Sequence, residues 1–133
     1  MSTHFTSEIL DNGIRVVTFD TPNSSANVLN LATLRELSTY IETITADRDT
    51  TGLIFSSAKP AIFIAGADLR EIQCLTGEAE LRKMIMLGQL LFNGIADLAI
   101  PTVAAIHGAC LGGGYELCLA CDYRIASNDH STK

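Results

Sequence analysis

Basic residues are scarce in this sequence. Nine lysines and arginines stand against fifteen aspartates and glutamates, so the formal net charge is −6. Proteins that bind nucleic acids neutralise the phosphates with clustered lysines and arginines. The composition therefore argues against a nucleic-acid partner, although a few basic side chains and backbone groups can still bind a small acidic ligand.

The sequence also lacks an apolar run long enough for a membrane span. Its most apolar window, residues 87–106, is interrupted by Gln89, Asn93, Asp97 and Pro101, whereas a spanning helix needs about 20 apolar residues in succession. The first ten residues, MSTHFTSEIL, have no basic segment followed by an apolar one, as a signal peptide would. We therefore expect neither a membrane span nor a secretion signal.

The four cysteines do not indicate a secreted disulfide framework. Three of them, Cys110, Cys118 and Cys121, lie in apolar stretches, where a free thiol behaves as a small hydrophobic group. We therefore expect a reducing, cytoplasmic compartment. The pair Cys118-x-x-Cys121 is interpreted as two small side chains on a packed helix. A zinc site would need two further ligands, for which His107 and Cys110 are the nearby candidates.

Strand-like and helix-like segments alternate along the 133 residues, of which 47% are hydrophobic. A chain of this length forms one domain at most. Asn12-Gly13 between two strand-like runs predicts a hairpin, and Asn30 is a favourable N-cap for a helix with one apolar face. Residues 77–98 predict a long helix in which Gly88 allows a close helix contact. The alternation indicates an α/β class and suggests a doubly wound sheet.

The most informative stretch is residues 101–127, which predicts a strand, a glycine turn, a helix and a further strand. Gly112, Gly113 and Gly114 lie where the helix begins, so bare backbone N–H groups and the helix dipole are available to an anion or to an oxygen that becomes negative. Glu116 lies one turn further on. It is either a general acid/base beside that site or a residue that only complements the helix dipole, and the residues alone favour neither.

Two motifs carry a resemblance to a known family. Residues 108–126, GACLGGGYELCLACDYRIA, and residues 63–69, FIAGADL, resemble the two signatures of the enoyl-CoA hydratase/isomerase (crotonase) family. Within that family they are most similar to the alpha subunits of multifunctional fatty-acid oxidation complexes. The resemblance runs from about residue 8 to the end and implies the crotonase fold, a spiral of ββα units. It identifies residues 1–133 as the N-terminal part of such a domain.

The resemblance also implies roles for individual residues. The backbone N–H groups of Ala67 and Gly113 correspond to the family's oxyanion hole, and Glu116 corresponds to its first catalytic glutamate. The segment from Ala67 through Asp68 and Leu69 to Arg70 corresponds to the part that lies along bound CoA. Alternatively, Arg70 is a solvated helix charge, and Asp68 caps a short helix.

The implied activity is hydration of a 2-enoyl-CoA thioester in fatty-acid β-oxidation. Double-bond isomerisation by another acyl-CoA enzyme of the family, or acyl-CoA binding without chemistry, are the alternatives. Hydration needs no cofactor, since NAD serves only a dehydrogenase region that this sequence does not contain. The family's second glutamate would follow residue 133, so we expect this chain alone to have little or no hydratase activity. The implied partners are the acyl-CoA substrate and, in a full-length parent, an oligomer or a thiolase-type beta subunit.

One unrelated hydrolytic site has to be considered. The run from Gly108 to Gly112 fits a nucleophile elbow in which Cys110 replaces serine on a strand-to-helix turn. Its acid and base would have to come from Asp122, Asp129 and His130, which are crowded into the end of the sequence.

Overall fold

The computed structural model describes residues 3–133, and it builds them from repeated strand–strand–helix units. The strands of this range are β1 (Phe5–Ile9), β2 (Ile14–Phe19), β3 (Gly52–Ser57), β4 (Ile62–Ile64), β5 (Thr102–Ile106), β6 (Ala109–Cys110) and β7 (Tyr123–Ala126). The helices are α1 (Leu31–Ala46), α2 (Leu69–Cys74), α3 (Glu78–Ala96) and α4 (Gly113–Ala120). The chain order is therefore β1-β2-α1, then β3-β4-α2-α3, then β5-β6-α4, followed by β7.

Five strands form the main sheet in the order β1-β2-β3-β5-β7. The predicted hairpin is confirmed: β1 and β2 are antiparallel, and Gly13 adopts a φ of +83° in the turn between them. The other neighbouring pairs are parallel. Parallel strands need long crossovers, and here the helical parts of successive units supply them.

The doubly wound sheet suggested by alternation alone is not formed. The second strands of two successive units, β4 and β6, leave the main sheet and pair with each other in a separate parallel sheet. This arrangement is the crotonase fold that the motifs implied. It brings the two motif segments together, because β4 leads into FIAGADL and β6 leads into the glycine turn.

Helices α1 and α3 pack together, and their buried residues belong to the same hydrophobic core as those of the main sheet. Asn30 caps α1 as predicted: its side chain accepts from Thr33 N at 2.9 Å, and Thr33 Oγ1 accepts from Asn30 N at 2.9 Å. The close helix contact predicted at Gly88 is wrong, since no atom lies within 4 Å of a Cβ built there. Gly94, six residues later, lies at the close helix contact, since a Cβ built on it would lie 3.6 Å from Ile41 Cγ2 of α1.

No helix within residues 3–133 is both long enough and apolar enough to cross a membrane.

Candidate active site

The first motif segment is held by pairing with residues 27–29. Leu29 N donates to Gly66 O at 2.7 Å, and Asp68 N donates to Leu29 O at 2.9 Å. In extended backbone, successive N–H groups point to opposite sides, so the N–H of Ala67 faces away from Leu29. Within residues 3–133 this N–H has no hydrogen-bond acceptor.

The buried side chain of Asn27 holds this pairing in place. Asn27 is fully buried, and its amide donates to Phe19 O at 3.0 Å and to Phe63 O at 3.2 Å. Its backbone carbonyl accepts from Ala65 N at 2.9 Å. Asn27 therefore fixes the end of β4 and the start of the Ala67 loop. Sequence reasoning missed it, because an asparagine in a polar loop carries no local signal of burial.

The glycine turn lies directly against the Ala67 loop. Leu111 N donates to Ile64 O at 3.1 Å. Gly66 has a φ of +112°, and a Cβ built on it would lie 3.2 Å from Leu111 O and 3.9 Å from Gly112 Cα. The two backbones are therefore in van der Waals contact, with no side chain between them. Only glycine satisfies both the positive φ and this close approach.

The glycine turn supplies a second free N–H. Gly113 is the first residue of α4, and the first N–H groups of a helix have no partner within the helix. In the described part of the chain, Gly113 N has no other acceptor either. The dipole of α4 adds partial positive charge at the same point. The two N–H groups that the resemblance assigned to an oxyanion hole are thus both unpaired, on two loops in contact.

A cavity of about 360 Å³ brings the predicted residues together, since Ala67, Gly113 and Glu116 all line it. Most of the lining is apolar and comes from α1, α2, α3 and the segment before α1: Leu29, Leu34, Ile72, Leu81, Met84, Ile85, Gly88 and Phe92. Glu116 contributes the one carboxylate among the described lining residues, and it is exposed to solvent. Gln89 is the other polar side chain in the lining, which the sequence marked only as an interruption of an apolar window.

The other residues of the predicted CoA segment lie outside this lining. Asp68 is the N-cap of α2, and its side chain accepts from Arg70 N at 3.0 Å and from Glu71 N at 3.4 Å. The capping alternative for Asp68 is therefore confirmed. Leu69 and Arg70 are exposed beside the loop, and contact with a CoA thioester remains a prediction for Asp68, Leu69 and Arg70.

The thiol sites considered as alternatives are not supported. The nucleophile elbow is wrong, because Cys110 is buried in β6 and faces Cys118 rather than an acid or a histidine. His107 Nε2 instead contacts Lys59 O at 2.6 Å. Cys118 is buried on α4 and Cys121 is buried at its C-cap, which agrees with two small packed side chains, and burial raises the pKa of Cys121 to about 11. Within residues 3–133, no group of three or more His, Cys, Asp or Glu side chains is placed to hold a metal ion.

Comparison with known proteins agrees with this geometry. The enoyl-CoA hydratase/isomerase family matches residues 10–132. Two similar sequences are fatty acid oxidation complex subunits alpha, from Idiomarina loihiensis (38% identical over 96% of this chain) and Aliivibrio fischeri (44% identical over 92%). The chain spans about 18% of the length of each.

A similar solved structure is the enoyl-CoA hydratase from Bacillus anthracis. It is 32% identical to this chain, with a TM-score of 0.86 over 93% of this chain and 47% of that one. The family match covers nearly all of the sequence, and the fold and the two motif loops agree with it. This chain therefore belongs to the enoyl-CoA hydratase/isomerase family.

Proposed function

We propose that this chain provides the oxyanion hole and one acid/base of a 2-enoyl-CoA hydratase. A single observation carries the proposal. Two backbone N–H groups, those of Ala67 and Gly113, are left without acceptors on loops in contact, and Glu116 lines the same apolar cavity. That combination suits a reaction in which a carbonyl oxygen gains negative charge while a proton moves nearby.

The chemistry follows from what each group can do. Addition of water to C3 of a 2-enoyl thioester pushes electrons onto the thioester oxygen and creates an enolate. Donors at Ala67 N and Gly113 N would stabilise that oxygen, and each such donor contributes about 3 kcal/mol in comparable sites. Glu116 would accept a proton from the attacking water. Ala67 and Glu116 are exposed to solvent at the edge of the mostly apolar cavity, and no step calls for a cofactor.

The relatives suggest the setting. Two of them are named as alpha subunits of fatty acid oxidation complexes, so we place the reaction in fatty-acid β-oxidation, in the cytoplasm. A thiolase-type beta subunit or an oligomer of the parent protein is the proposed partner. The segment from Asp68 to Arg70 would lie along the CoA moiety, with Arg70 available to a phosphate.

A second candidate is acyl-CoA binding without hydration by this chain. It is favoured by the lining, in which Glu116 is the one carboxylate among the described residues. The family's hydratases use two glutamates, whereas double-bond isomerisation can proceed with one acid/base. Assays of crotonyl-CoA hydration and of 3-enoyl-CoA isomerisation on the same sample distinguish these outcomes.

The test compares Glu116→Gln with Glu8→Gln, which removes the same charge from an exposed site on β1. Binding of crotonyl-CoA is measured by calorimetry and hydration by loss of enoyl absorbance. Turnover is measured with each substitution made in the full-length parent protein. Removal of an acid/base typically lowers kcat by about 10²- to 10⁴-fold, so we expect that loss for Glu116→Gln with Kd changed less than about threefold, because the carboxylate acts on water. Unchanged turnover in Glu116→Gln would remove Glu116 from the mechanism. Binding by all three proteins without turnover would support the second candidate, and absence of binding would refute both.

A further inference from the structure

Two buried thiols lie side by side beneath the glycine turn. Cys110 is in β6 and Cys118 is in α4, and their Sγ atoms are 3.6 Å apart. Their exposed fractions are 7% and 0%. A disulfide bond is about 2.05 Å long, so side-chain rotation with a small backbone shift has to close a gap of only about 1.5 Å. The proposed hydratase chemistry uses neither thiol.

The two thiols differ in their surroundings. Cys118 is fully buried, and its contact with Cys110 together with burial raises its pKa, whereas Cys110 lines a cavity. Thiolate is the reactive form of cysteine. Cys110 is therefore the thiol that a reagent meets first, and Cys118 lies within reach of it.

Cys110 is also accessible to a small reagent from one side. It lines a cavity of about 340 Å³ together with Ile106, Tyr115 and Thr132. This cavity is separate from the one that contains Glu116. Its volume is large enough for a molecule the size of hydrogen peroxide next to Cys110 and outside the candidate active site.

We propose that Cys110 and Cys118 form a peroxide-sensitive pair that closes to a disulfide between β6 and α4. The Cys110 sulfur attacks one oxygen of a hydroperoxide and breaks the O–O bond, which leaves a sulfenic acid and releases water or an alcohol once a proton is taken up. The Cys118 sulfur then attacks the Cys110 sulfur. The S–S bond forms, and the hydroxyl group leaves with the Cys118 proton as water. Two thiols are oxidised by two electrons and the peroxide is reduced, and a dithiol reverses the change.

The disulfide would act on the neighbouring loop. It joins the residues on either side of Gly112 and Gly113, and a Cβ built on Gly112 would lie 3.9 Å from Gly66 Cα. The small backbone shift that accompanies closure of the sulfur gap would move Gly113 N relative to Ala67 N. This consequence rests on the proposed function. We expect the Kd for crotonyl-CoA to rise at least fivefold on oxidation and to recover with dithiothreitol.

The experiment uses the chain with the exposed Cys74 replaced by serine, to prevent intermolecular bridging. Treatment with hydrogen peroxide should give a species lighter by two hydrogen atoms, whose peptide map joins Cys110 to Cys118. Cys121→Ala, which removes a third buried thiol from α4, should leave that bridge intact. Cys118→Ala should stop at a Cys110 sulfenic acid that dimedone traps.

Bridging through Cys121, or a persistent sulfenic acid on Cys110 with Cys118 present, would overturn the proposed pair. So would resistance of both thiols to peroxide in the folded protein, with circular dichroism confirming the fold. These results do not depend on CoA binding. If the bridge forms and the Kd is unchanged, the pair stands as an oxidation site and its effect on the turn is refuted. Absence of CoA binding before oxidation would count against the proposed function instead.

Discussion

The contribution of one oxyanion donor can be isolated at Gly113. A backbone N–H is not removed by ordinary side-chain substitution, but proline lacks it and is favoured at the first position of a helix. Gly113 occupies that position in α4, and its N–H has no acceptor within residues 3–133. Gly113→Pro therefore removes the donor without breaking an internal hydrogen bond. Gly113→Ala is the matched control, because it adds a Cβ and keeps the N–H.

The Cβ contact is common to the two variants: a Cβ at Gly113 would lie 3.0 Å from Leu29 Cδ1, the end of a flexible side chain that can rotate away. Proline also bonds Cδ to the backbone nitrogen in place of the hydrogen. The proline variant therefore loses the donor and places a methylene group where the bound oxygen would lie. A hydrogen bond to a charged group is worth about 1.5–3 kcal/mol, which corresponds to about 10- to 150-fold in affinity for an enolate oxygen.

The assay is calorimetric binding of acetoacetyl-CoA, whose enolate presents an oxygen like that of the proposed intermediate. We expect Gly113→Ala to bind within about threefold of the parent chain, and Gly113→Pro to bind at least 10-fold more weakly. In any preparation that turns over crotonyl-CoA, kcat should fall about 10²- to 10³-fold in the proline variant alone. Equal affinity of the alanine and proline variants, with both folded, would refute an oxyanion role for Gly113 N.

Three further predictions concern the framework of the site. Asn27→Ala removes a fully buried amide whose oxygen accepts one hydrogen bond and whose two hydrogens are shared among three acceptors. At a net of about 1 kcal/mol for each of these three groups, urea unfolding should show a loss of about 3 kcal/mol, and a loss below about 1 would contradict this role. Gly114→Ala places a Cβ 2.7 Å from the carbonyl oxygen of Ile64 and should lower the free energy of unfolding by about 1–3 kcal/mol. Gly88→Ala meets no atom within 4 Å and should stabilise α3 by about 0.8 kcal/mol. If the two variants shift the melting temperature in the same direction, at least one of these assignments is wrong. Hydrogen bonds from Ser131 and Ser127 lower the pKa of Asp129 from 3.8 to about 2, so its contribution to stability is complete above pH 3.8 and is lost as the pH falls towards 2; Asp129→Asn should flatten acid unfolding in that window, and an unchanged profile would show that the group does not contribute.

The sequence predicted those features that depend on local signals. The Asn12-Gly13 turn and the Asn30 cap need only their own neighbours, and both formed as expected. The separate sheet of β4 and β6 could not be predicted in this way. Strands of three and two residues contain too few side chains for their composition to indicate which strand they pair with. Their pairing depends on contacts about 45 residues apart, such as Ile62 opposite Ala109, and only the family resemblance supplied it.

The error at Gly88 has a similar cause. The helical period correctly placed Gly88 on the side of α3 that carries Met84 and Leu91, which are both buried. What lies beside Gly88, however, is the cavity rather than another helix. Periodicity indicates which face of a helix points inward but does not indicate whether that interior is filled. A hydrophobic pattern alone therefore predicts a packed helix face at a position where the fold has a candidate binding cavity.

The candidate site differs from a catalytic triad of side chains in what determines the positions of its functional groups. Its two proposed donors are backbone groups, so their positions depend on which N–H groups the fold leaves unpaired. Leu29 N donates to Gly66 O, and Leu29 O accepts from Asp68 N. Because successive N–H groups of a strand point to opposite sides, Ala67 N then points away from Leu29. The residue at position 67 can therefore vary more readily than Gly66, because a φ of +112° is strained for any side chain and a Cβ built there would lie 3.2 Å from Leu111 O. On this reasoning, the glycines that bring the two loops into contact constrain the chemistry more strongly than the residues that donate.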